Sequence, residues 1–464
     1  MKIRWLLLLA PSIQAVIVDI VNPRNFSVQL DSSGSLLYTL TGGPQIAGCW
    51  LMNLKVGSTQ FRNVMIDTGS SDLVLPSNHL NAYSGTTYNT DGRFQYGNTV
   101  TSGYAGGSQW IGGFFADGIN IGGSETNALF AAMFHQTANN LVADGSSTQG
   151  IFGLAFDGIS RTNVQPRTVF SAFVNAGVFA QNVFAFRGCP ATTSTRSYLE
   201  FGATDSSLTC GGGDLQWVAI TSASYYVVNV VAVYVGGTQV SLPNNWQSDY
   251  EGGSIVDSCT TLLLLPTAIF NTFANAILSS GALSKAGMSS SIQNAFLYQY
   301  VGVSTAYFKI NYAALPTFSI TMQGATSGGT VTLTLSGYNY IQGDGHGYVY
   351  FPVASTSSSS IILGGTIFQE YYIVFDRSGA RVGFGPGCDC ASNRNAAVVV
   401  SNSIGYNPPP SGNSGGSSGG SSDGTTTGTL SGQSIVVKTS NAQKRYLARR
   451  KYHISLVCTL IFVF

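Results

Sequence analysis

Two short segments of this chain could each place a carboxylate in a tight turn. Residues 65–71 read Met-Ile-Asp-Thr-Gly-Ser-Ser, and residues 255–261 read Ile-Val-Asp-Ser-Cys-Thr-Thr. In both segments apolar residues precede the Asp, and small hydroxyl side chains follow it. One such segment is a weak signal, because Asp, Gly and Ser are frequent in turns between strands. Its repetition makes Asp67 and Asp257 candidates for one shared site.

The chemistry of such a pair follows from its electrostatics. If the two turns meet face to face, the carboxyls of Asp67 and Asp257 lie close together, and like charges at that distance cannot both ionise. The pair then shares one proton. The protonated member can donate to a substrate carbonyl while the ionised member takes a proton from water. We expect no cofactor and no metal at this site, since the chain has four His and no Cys-His spacing typical of a metal site.

The composition favours many short strands over long helices. The 464 residues include 56 Gly, 12% are aromatic and only 9% are charged, which suits strands joined by Gly turns. The length allows about two or three domains of ordinary size. The formal net charge is +1 and the region expected to fold has no basic patch, so we expect no nucleic-acid partner.

Each Asp segment has a matching apolar strand further along the chain. Residues 150–156 read Gly-Ile-Phe-Gly-Leu-Ala-Phe, and residues 361–368 read Ile-Ile-Leu-Gly-Gly-Thr-Ile-Phe. The same order of turn and apolar strand therefore occurs twice. This repetition predicts two lobes related by an approximate twofold axis.

Periodicity and turn residues place the other elements. Helical spacing predicts helices over residues 169–178 and 266–278. The polar segment 77–100 is interpreted as surface loops. Strands are predicted, from alternation and flanking Gly or Pro, over residues 36–40, 49–56, 183–187, 198–202, 216–220, 225–235 as a hairpin, 316–322, 331–335 and 348–353.

On these motifs, and on the C-terminal strands at 371–376 and 381–385, the chain resembles the pepsin-like aspartic proteases of peptidase family A1. The resemblance covers roughly residues 36–388. It implies an all-β, bilobal fold with two β-barrel-like lobes and a cleft between them. It divides the chain into an N-terminal lobe, residues 36–215, and a C-terminal lobe, residues 216–390. It also implies an aspartic endopeptidase that acts as a monomer on peptides or proteins.

The resemblance assigns roles to the residues of both turns. It makes Asp67 and Asp257 the catalytic pair, whose shared proton is the usual example of coupled carboxyls. In the family, the hydroxyls at the positions of Thr68 and Ser258 link the two turns. The other supporting residues of the turns are Gly69, Ser70 and Thr260.

A Gly-rich segment after the first turn resembles the family's flap, a β-hairpin that closes over bound peptide. Residues 104–108 read Tyr-Ala-Gly-Gly-Ser, and residues 112–123 resemble the return strand. We expect Tyr104 and Gly106 to contact substrate, because Gly lets the hairpin tip move while the Tyr ring excludes water and keeps a hydroxyl. The alternative is a Tyr in an exposed Gly-rich turn.

Three positions depart from the family pattern. Cys259 stands where the family turn has Gly, which predicts either a strained turn or a displaced Asp257. Val74 stands where a Trp often supports the flap Tyr. Gly365 replaces an acidic residue that often follows the second apolar strand. The alternative function is therefore a catalytically impaired pepsin-fold protein for peptide binding or adhesion.

The chain has seven Cys, of which Cys458 belongs to its apolar end. The other six allow 15 disulfide connectivities. A bridge between Cys189 and Cys210 would close a loop, and one from Cys49 to Cys388 or Cys390 would join the first strands to the last. The second choice would leave Cys259 with one terminal Cys.

Both ends of the chain carry signals for export. Residues 1–15 have a basic start and an apolar run, as in a signal peptide, with a buried strand as the alternative. Residues 16–35 form a short N-terminal or pro segment, and the Ser/Gly/Pro-rich residues 391–440 are interpreted as a stalk. Residues 441–464 resemble a GPI-attachment signal or a hydrophobic tail, since their apolar end is too short to span a bilayer as a helix. We therefore expect a secreted or cell-surface protein, anchored to the outer membrane leaflet through GPI.

Overall fold

The computed structural model describes residues 17–19, 27–29, 36–44, 48–104, 107–137, 141–142, 148–190, 192, 196–210, 214–387 and 397–401. The predicted signal peptide, the C-terminal signal and Gly106 lie outside these residues, as does the predicted stalk except for residues 397–401. Those five residues form a strand paired with residues 330–334, so interpreting them as stalk was wrong. All of these described residues belong to one compact unit. The predicted boundary between the lobes at residue 215 stays a prediction.

β-Strands form most of the regular structure. In the first half the described strands are β1 Ile17–Asp19, β2 Ser27–Gln29, β3 Leu36–Thr39, β4 Thr41–Gly42, β5 Trp50–Val56, β6 Thr59–Asp67, β7 Leu73–Pro76, β8 Tyr96–Gly103, β9 Gln109–Ile121, β10 Ser124–Gln136, β11 Ile151–Gly153, β12 Val183–Arg187 and β13 Tyr198–Phe201. In the second half they are β14 Gln216–Ala223, β15 Tyr226–Val228, β16 Val230–Val235, β17 Thr238–Gln239, β18 Ser254–Val256, β19 Leu263–Pro266, β20 Val303–Ser304, β21 Phe318–Gln323, β22 Thr330–Leu335, β23 Gln342–Gly343, β24 Tyr348–Tyr350, β25 Val353–Thr356, β26 Ile362–Leu363, β27 Tyr371–Asp376, β28 Arg381–Pro386 and β29 Ala397–Ser401.

The helices are short. They are α1 Val169–Asn175, α2 Thr267–Ser279, α3 Ala282–Lys285, α4 Ser290–Tyr298, α5 Gly337–Tyr340 and α6 Gly365–Phe368, and single 3₁₀ turns cover Asp157–Ile159, Ser206–Leu208 and Tyr312–Ala314. No helix within the described ranges is both long and apolar enough to cross a membrane.

One four-stranded arrangement occurs in both halves. The first half has the order β6-β11-β7-β10, and the second half has β18-β26-β19-β25. In each copy the second strand runs parallel to the first and antiparallel to the third, and the fourth runs parallel to the third. Each copy places an Asp at the end of its first strand. The repetition predicted from the sequence, and the all-β bilobal fold, are therefore confirmed.

A shared sheet joins the two halves. Strand β12 of the first half pairs with β27 of the second half, and β27 continues through β28 to β14. Phe184 of β12 stacks on Phe375 of β27 with ring centroids 4.6 Å apart, and both side chains are fully buried. Burial of such large rings contributes strongly to stability. This central sheet therefore joins the half that carries Asp67 to the half that carries Asp257.

The two predicted helices are present. Helix α1 begins after Thr168, whose hydroxyl accepts a hydrogen bond from the backbone N–H of Ser171. It ends before Gly177, whose φ of +68° ends the predicted span early. Helix α2 begins one residue after Pro266, as expected for a helix that follows a Pro.

Two predictions of local structure are wrong. Residues 348–353 form two strands, because Pro352 has no N–H for a ladder and its carbonyl instead accepts from the N–H of Leu263. Residues 77–100 are not all surface loop. Tyr88 is buried and donates a hydrogen bond to Asp117, and β8 begins at Tyr96.

Candidate active site

Asp67 and Asp257 occupy equivalent places in the two repeated arrangements. Asp67 ends β6 and Asp257 follows β18, and both residues are fully buried. The neighbouring central strand holds each backbone, since Leu154 N–H donates to the Asp67 carbonyl at 2.7 Å and Asp257 N–H donates to the Leu363 carbonyl at 3.1 Å. The elements predicted to position the two carboxyls therefore do so.

A Gly at the end of each central strand allows the backbone that follows the Asp turn to pack closely against that strand. A Cβ atom on Gly153 would lie 2.5 Å from the backbone N of Asp72, and one on Gly364 would lie 2.1 Å from the carbonyl O of Leu262. Both distances are far below normal contact. The Gly of the apolar-apolar-Gly pattern is thus explained by close packing of backbone on backbone.

Each carboxyl is held by its own turn in the same way. A backbone N–H two residues on donates to Oδ1, and a hydroxyl three residues on donates to Oδ2. The donors are Gly69 N at 2.9 Å and the Ser70 hydroxyl for Asp67, and Cys259 N at 3.0 Å and the Thr260 hydroxyl at 2.6 Å for Asp257.

Thr68 and Ser258 connect the two turns. The N–H of Thr68 donates to the Ser258 hydroxyl at 3.1 Å, and the N–H of Ser258 donates to the Thr68 hydroxyl at 2.9 Å. Each hydroxyl also donates into the opposite half, Thr68 to the Val256 carbonyl at 2.9 Å and Ser258 to the Ile66 carbonyl at 2.8 Å. All four polar groups of the linkage are buried and paired, which makes the geometry rigid.

The electrostatics match a pair that shares a proton. Burial raises the pKa of Asp67 well above its usual value, and the charge of Asp257 raises it further. Burial also raises the pKa of Asp257, against hydrogen bonds from Thr260 and the Cys259 N–H that stabilise its ionised form. The two carboxyls are close enough for each to affect the pKa of the other. The two carboxyls therefore titrate as one unit that holds a single shared proton.

Cys259 does not distort its turn. Its N–H bonds to Asp257 as that of Gly69 bonds to Asp67, and neither residue has a positive φ. The fully buried Cys259 side chain packs in an apolar cluster with Val74 and Tyr104. The predicted strain or displacement of Asp257 is therefore wrong, because this cluster accommodates the extra Cβ and sulfur.

The cysteine pairings differ in part from expectation. Cys49 is a buried thiol, so the predicted bridge from Cys49 to Cys388 or Cys390 is absent, and its Sγ instead lies 3.7 Å from the Ile66 carbonyl O and 3.9 Å from that of Ser258. The structural reason is that Cys49 belongs to the apolar cluster around Cys259. Cys189 and Cys210 are each disulfide-bonded, while Cys388 and Cys390 lie outside the described residues.

Tyr104 lies at the end of a long hairpin formed by β8 and β9. The Tyr104 N–H donates to the Ser108 carbonyl at 2.7 Å, which closes the hairpin tip. The Tyr104 side chain is buried, with 6% of its surface exposed, so it is not a Tyr in an exposed turn. Burial and the nearby Asp67 charge raise the pKa of its hydroxyl. The ring therefore lies close to the carboxyl pair.

Trp110 is a site residue that the sequence analysis missed. It follows the hairpin tip on β9, is buried, and packs in one cluster with Tyr104 and Val74. Its indole N–H lies near enough to the Tyr104 hydroxyl to oppose the rise in its pKa, but within the described residues it has no partner at normal hydrogen-bond distance. Trp110 thus occupies the space beside the Tyr that Val74 leaves. The sequence signal that could have identified Trp110 was the presence of a Trp in the return strand of the flap-like hairpin.

The third departure, Gly365, has a steric explanation. A Cβ atom there would lie 2.4 Å from the Pro44 side chain and 2.6 Å from the Thr261 carbonyl O. The position therefore has no room for an acidic side chain.

A pocket opens beside the Asp67 turn. Its walls come from the turn, from the hairpin and from the loop that follows β11. The lining residues are Ser70, Ser71, Asp72, Ser102, Tyr104, Trp110, Ile159 and Arg161. The sequence analysis did not single out Asp72 or Arg161, because neither lies in a repeated motif.

Known proteins resemble this chain over the same region. The profile of the family described as "eukaryotic aspartyl protease" matches residues 50–387. A "Beta-secretase" of Strongylocentrotus purpuratus is 25% identical over 366 residues, which cover 74% of this chain and 66% of the relative. "Pepsin A" of Canis lupus familiaris is 28% identical over 339 residues, covering 70% and 77%. An "Aspartic protease" of Phaffia rhodozyma is 25% identical over 342 residues, covering 72% and 75%. The chain belongs to the eukaryotic aspartyl protease family, and it is a pepsin-like aspartic endopeptidase by that membership.

Proposed function

We propose that Asp67 and Asp257 hydrolyse peptide bonds in peptides or proteins, with greatest activity at acidic pH. The observation that carries the proposal is the pair of buried carboxyls, which are held by matching turns and both have raised pKa values, as expected for a pair that shares one proton. Neither carboxyl needs a metal or a nucleophilic side chain to act.

In the proposed reaction Asp67 begins protonated and Asp257 begins ionised. A water molecule between the carboxyls loses a proton to ionised Asp257 as its oxygen attacks the peptide carbonyl carbon. Protonated Asp67 donates to the carbonyl oxygen, so a neutral tetrahedral intermediate forms. The C–N bond then breaks as the nitrogen takes the proton from Asp257, and the gem-diol returns a proton to Asp67. The pair ends in its starting state, with one proton shared.

The surrounding residues support this chemistry. Thr68 and Ser258 hold the two turns together, while Gly69, Ser70, Cys259 and Thr260 orient the carboxyl oxygens. We propose that Tyr104 and Gly106 close over the bound peptide. The buried ring of Tyr104 would exclude bulk water from the reacting groups.

The location of the protein rests on its terminal segments. We propose a signal peptide at residues 1–15, a stalk within 402–440 and a GPI-attachment signal at 441–464, which together would hold a monomeric protease at the outer leaflet. Release of the protein from intact cells by a phosphatidylinositol-specific phospholipase would support the anchor. Retention after that treatment would contradict it.

The activity test uses the secreted protein on a denatured protein substrate between acidic and neutral pH. Asp67→Asn should lower kcat by about 10²- to 10⁴-fold, the usual contribution of a positioned acid or base. Asp214→Asn removes an exposed carboxylate and serves as the matched control, with unchanged activity. A wild-type protein as inert as Asp67→Asn would contradict the proposal.

A further inference from the structure

The pocket beside the Asp67 turn contains a guanidinium group that the proposed mechanism does not use. We propose that Arg161 makes this pocket a subsite for an acidic side chain of the substrate, Asp or Glu, close to the scissile bond. This inference rests on the proposed function, since it names the substrate class of the same site.

Arg161 is fixed at its base. Its backbone N–H donates to Asp72 Oδ2 at 3.0 Å, and its Nε donates to the Ser102 hydroxyl on β8 at 3.1 Å. Among the described residues these are its only donated hydrogen bonds, and the side chain is half-buried. The N–H groups of its two Nη atoms are therefore available to a ligand. Their planar arrangement suits a carboxylate, which can accept two parallel hydrogen bonds.

The other charged group of the pocket, Asp72, does not cancel the positive charge of Arg161 at acidic pH. Asp72 is buried, and both of its oxygens already accept hydrogen bonds, Oδ1 from the Ser160 hydroxyl at 2.6 Å and Oδ2 from Arg161 N–H. Burial raises the pKa of Asp72 to about 6; hydrogen bonds from Ser160 and Arg161 N–H and the positive charge of Arg161 oppose the rise, and the charge of Asp157 adds to it. Below that pH its carboxyl is neutral, so Arg161 supplies the positive charge of the pocket in the acidic range.

The position of the pocket indicates a substrate side chain as its occupant. Ser70 lines the pocket and also donates to the Asp67 carboxyl, so the pocket begins next to the reacting groups. Tyr104 and Trp110 form its hairpin wall, and Ile159 adds an apolar surface. The aliphatic part of a Glu side chain could pack on these groups while its carboxylate reaches Arg161.

The test compares peptide substrates that carry Glu or Gln at each position around the scissile bond. Near pH 5 a Glu side chain is mostly ionised, since its usual pKa is about 4.3. At one position kcat/KM should be about tenfold higher for Glu than for Gln, the size expected for a charge-assisted pair. Arg161→Gln should abolish that ratio, and Arg161→Lys should retain part of it. Arg62→Gln, which removes an exposed arginine, should leave it unchanged.

Two results would overturn the inference: equal cleavage of Glu and Gln peptides at every position, or a Glu preference that persists in Arg161→Gln. The ratio of kcat/KM for the Glu and Gln peptides is used because a loss of protein stability lowers both values together and leaves their ratio unchanged. Binding of the same peptides to Asp67→Asn, measured by fluorescence anisotropy, separates this inference from the proposed function. A Glu preference in binding that requires Arg161, in a wild-type protein without turnover, would refute the activity and leave the subsite standing.

Discussion

Thr68 and Ser258 exchange backbone-to-hydroxyl hydrogen bonds of 3.1 and 2.9 Å across the junction between the two halves. Each residue directly follows one of the two carboxyls, so the linkage fixes how the carboxyls face each other. We expect Thr68→Val to destabilise the protein by about 1–3 kcal/mol, because the buried Ser258 N–H loses its acceptor. It should also lower kcat.

Thermal unfolding and peptide hydrolysis measured on the same variant check this prediction. Thr272→Val is the control, because it makes the same change at an exposed position on α2. Equal stability of Thr68→Val and Thr272→Val would show that the linkage is not important for the fold.

Substitution of the residue two positions after the Asp should have different effects in the two turns. A Cβ atom on Gly69 would lie 2.8 Å from the Asp257 carboxyl carbon, so Gly69→Ala should displace that carboxyl and reduce kcat by about 10²-fold or more. Cys259→Gly should change kcat/KM only a few-fold, because the Cys259 N–H already bonds to Asp257 at 3.0 Å. Steady-state kinetics test both variants. A large gain of activity in Cys259→Gly would instead support the impaired, peptide-binding alternative.

Trp110 should matter for substrate turnover although it touches neither carboxyl. Trp110→Phe keeps an aromatic ring in the cluster with Tyr104 and Val74 but removes the indole N–H. We expect kcat/KM to fall by about 3- to 30-fold, because the polar N–H beside the buried Tyr104 hydroxyl is lost. Trp217→Phe, at a partly buried position on β14, is the control for a lost indole. An unchanged kcat/KM in Trp110→Phe would exclude this role.

The stability of the protein should depend on the proton held by the pair. Burial and the Asp257 charge raise the pKa of Asp67 well above its usual value of 3.8, so the folded state binds this proton more tightly than the unfolded state does. Free energy of unfolding is therefore lost as the pH rises from the unfolded pKa to the folded pKa. Asp67→Asn has no carboxyl at this position to titrate, so this pH-dependent loss of stability is absent. Its Tm should exceed that of the wild type by more at pH 7 than at pH 3, measured by calorimetry, and a pH-independent difference would contradict the raised pKa.

Repetition made the core of the site predictable from sequence. The turn at Asp67 has a second copy at Asp257, and each copy has its own apolar-apolar-Gly strand, so local pattern and global symmetry agree. The lengths of β12 and α2 were also close to prediction, because periodicity and a flanking Pro define them. These features depend on residues near one another in the sequence.

The features that sequence reasoning missed depend on distant contacts. Cys259 was expected to strain its turn, but the cluster that receives its side chain is assembled from other segments, including Cys49 and Val74. Trp110 fills the space beside Tyr104 from a different strand than the family pattern suggests. Arg161 reaches the site only because Asp72 and Ser102 fix it there. The repeated motifs of the sequence do not include these residues.

The most direct test of the paired mechanism is kcat/KM of Asp257→Asn, compared with wild type and Asp67→Asn across pH 2–8. We expect a bell-shaped profile for the wild type, with activity lost at low pH as the pair gains a second proton and at high pH as it loses the shared one. Each variant should fall by about 10²- to 10⁴-fold, and the double variant should be little worse than either, because the carboxyls act as one unit. Substantial activity in Asp257→Asn would contradict catalysis by the paired carboxyls.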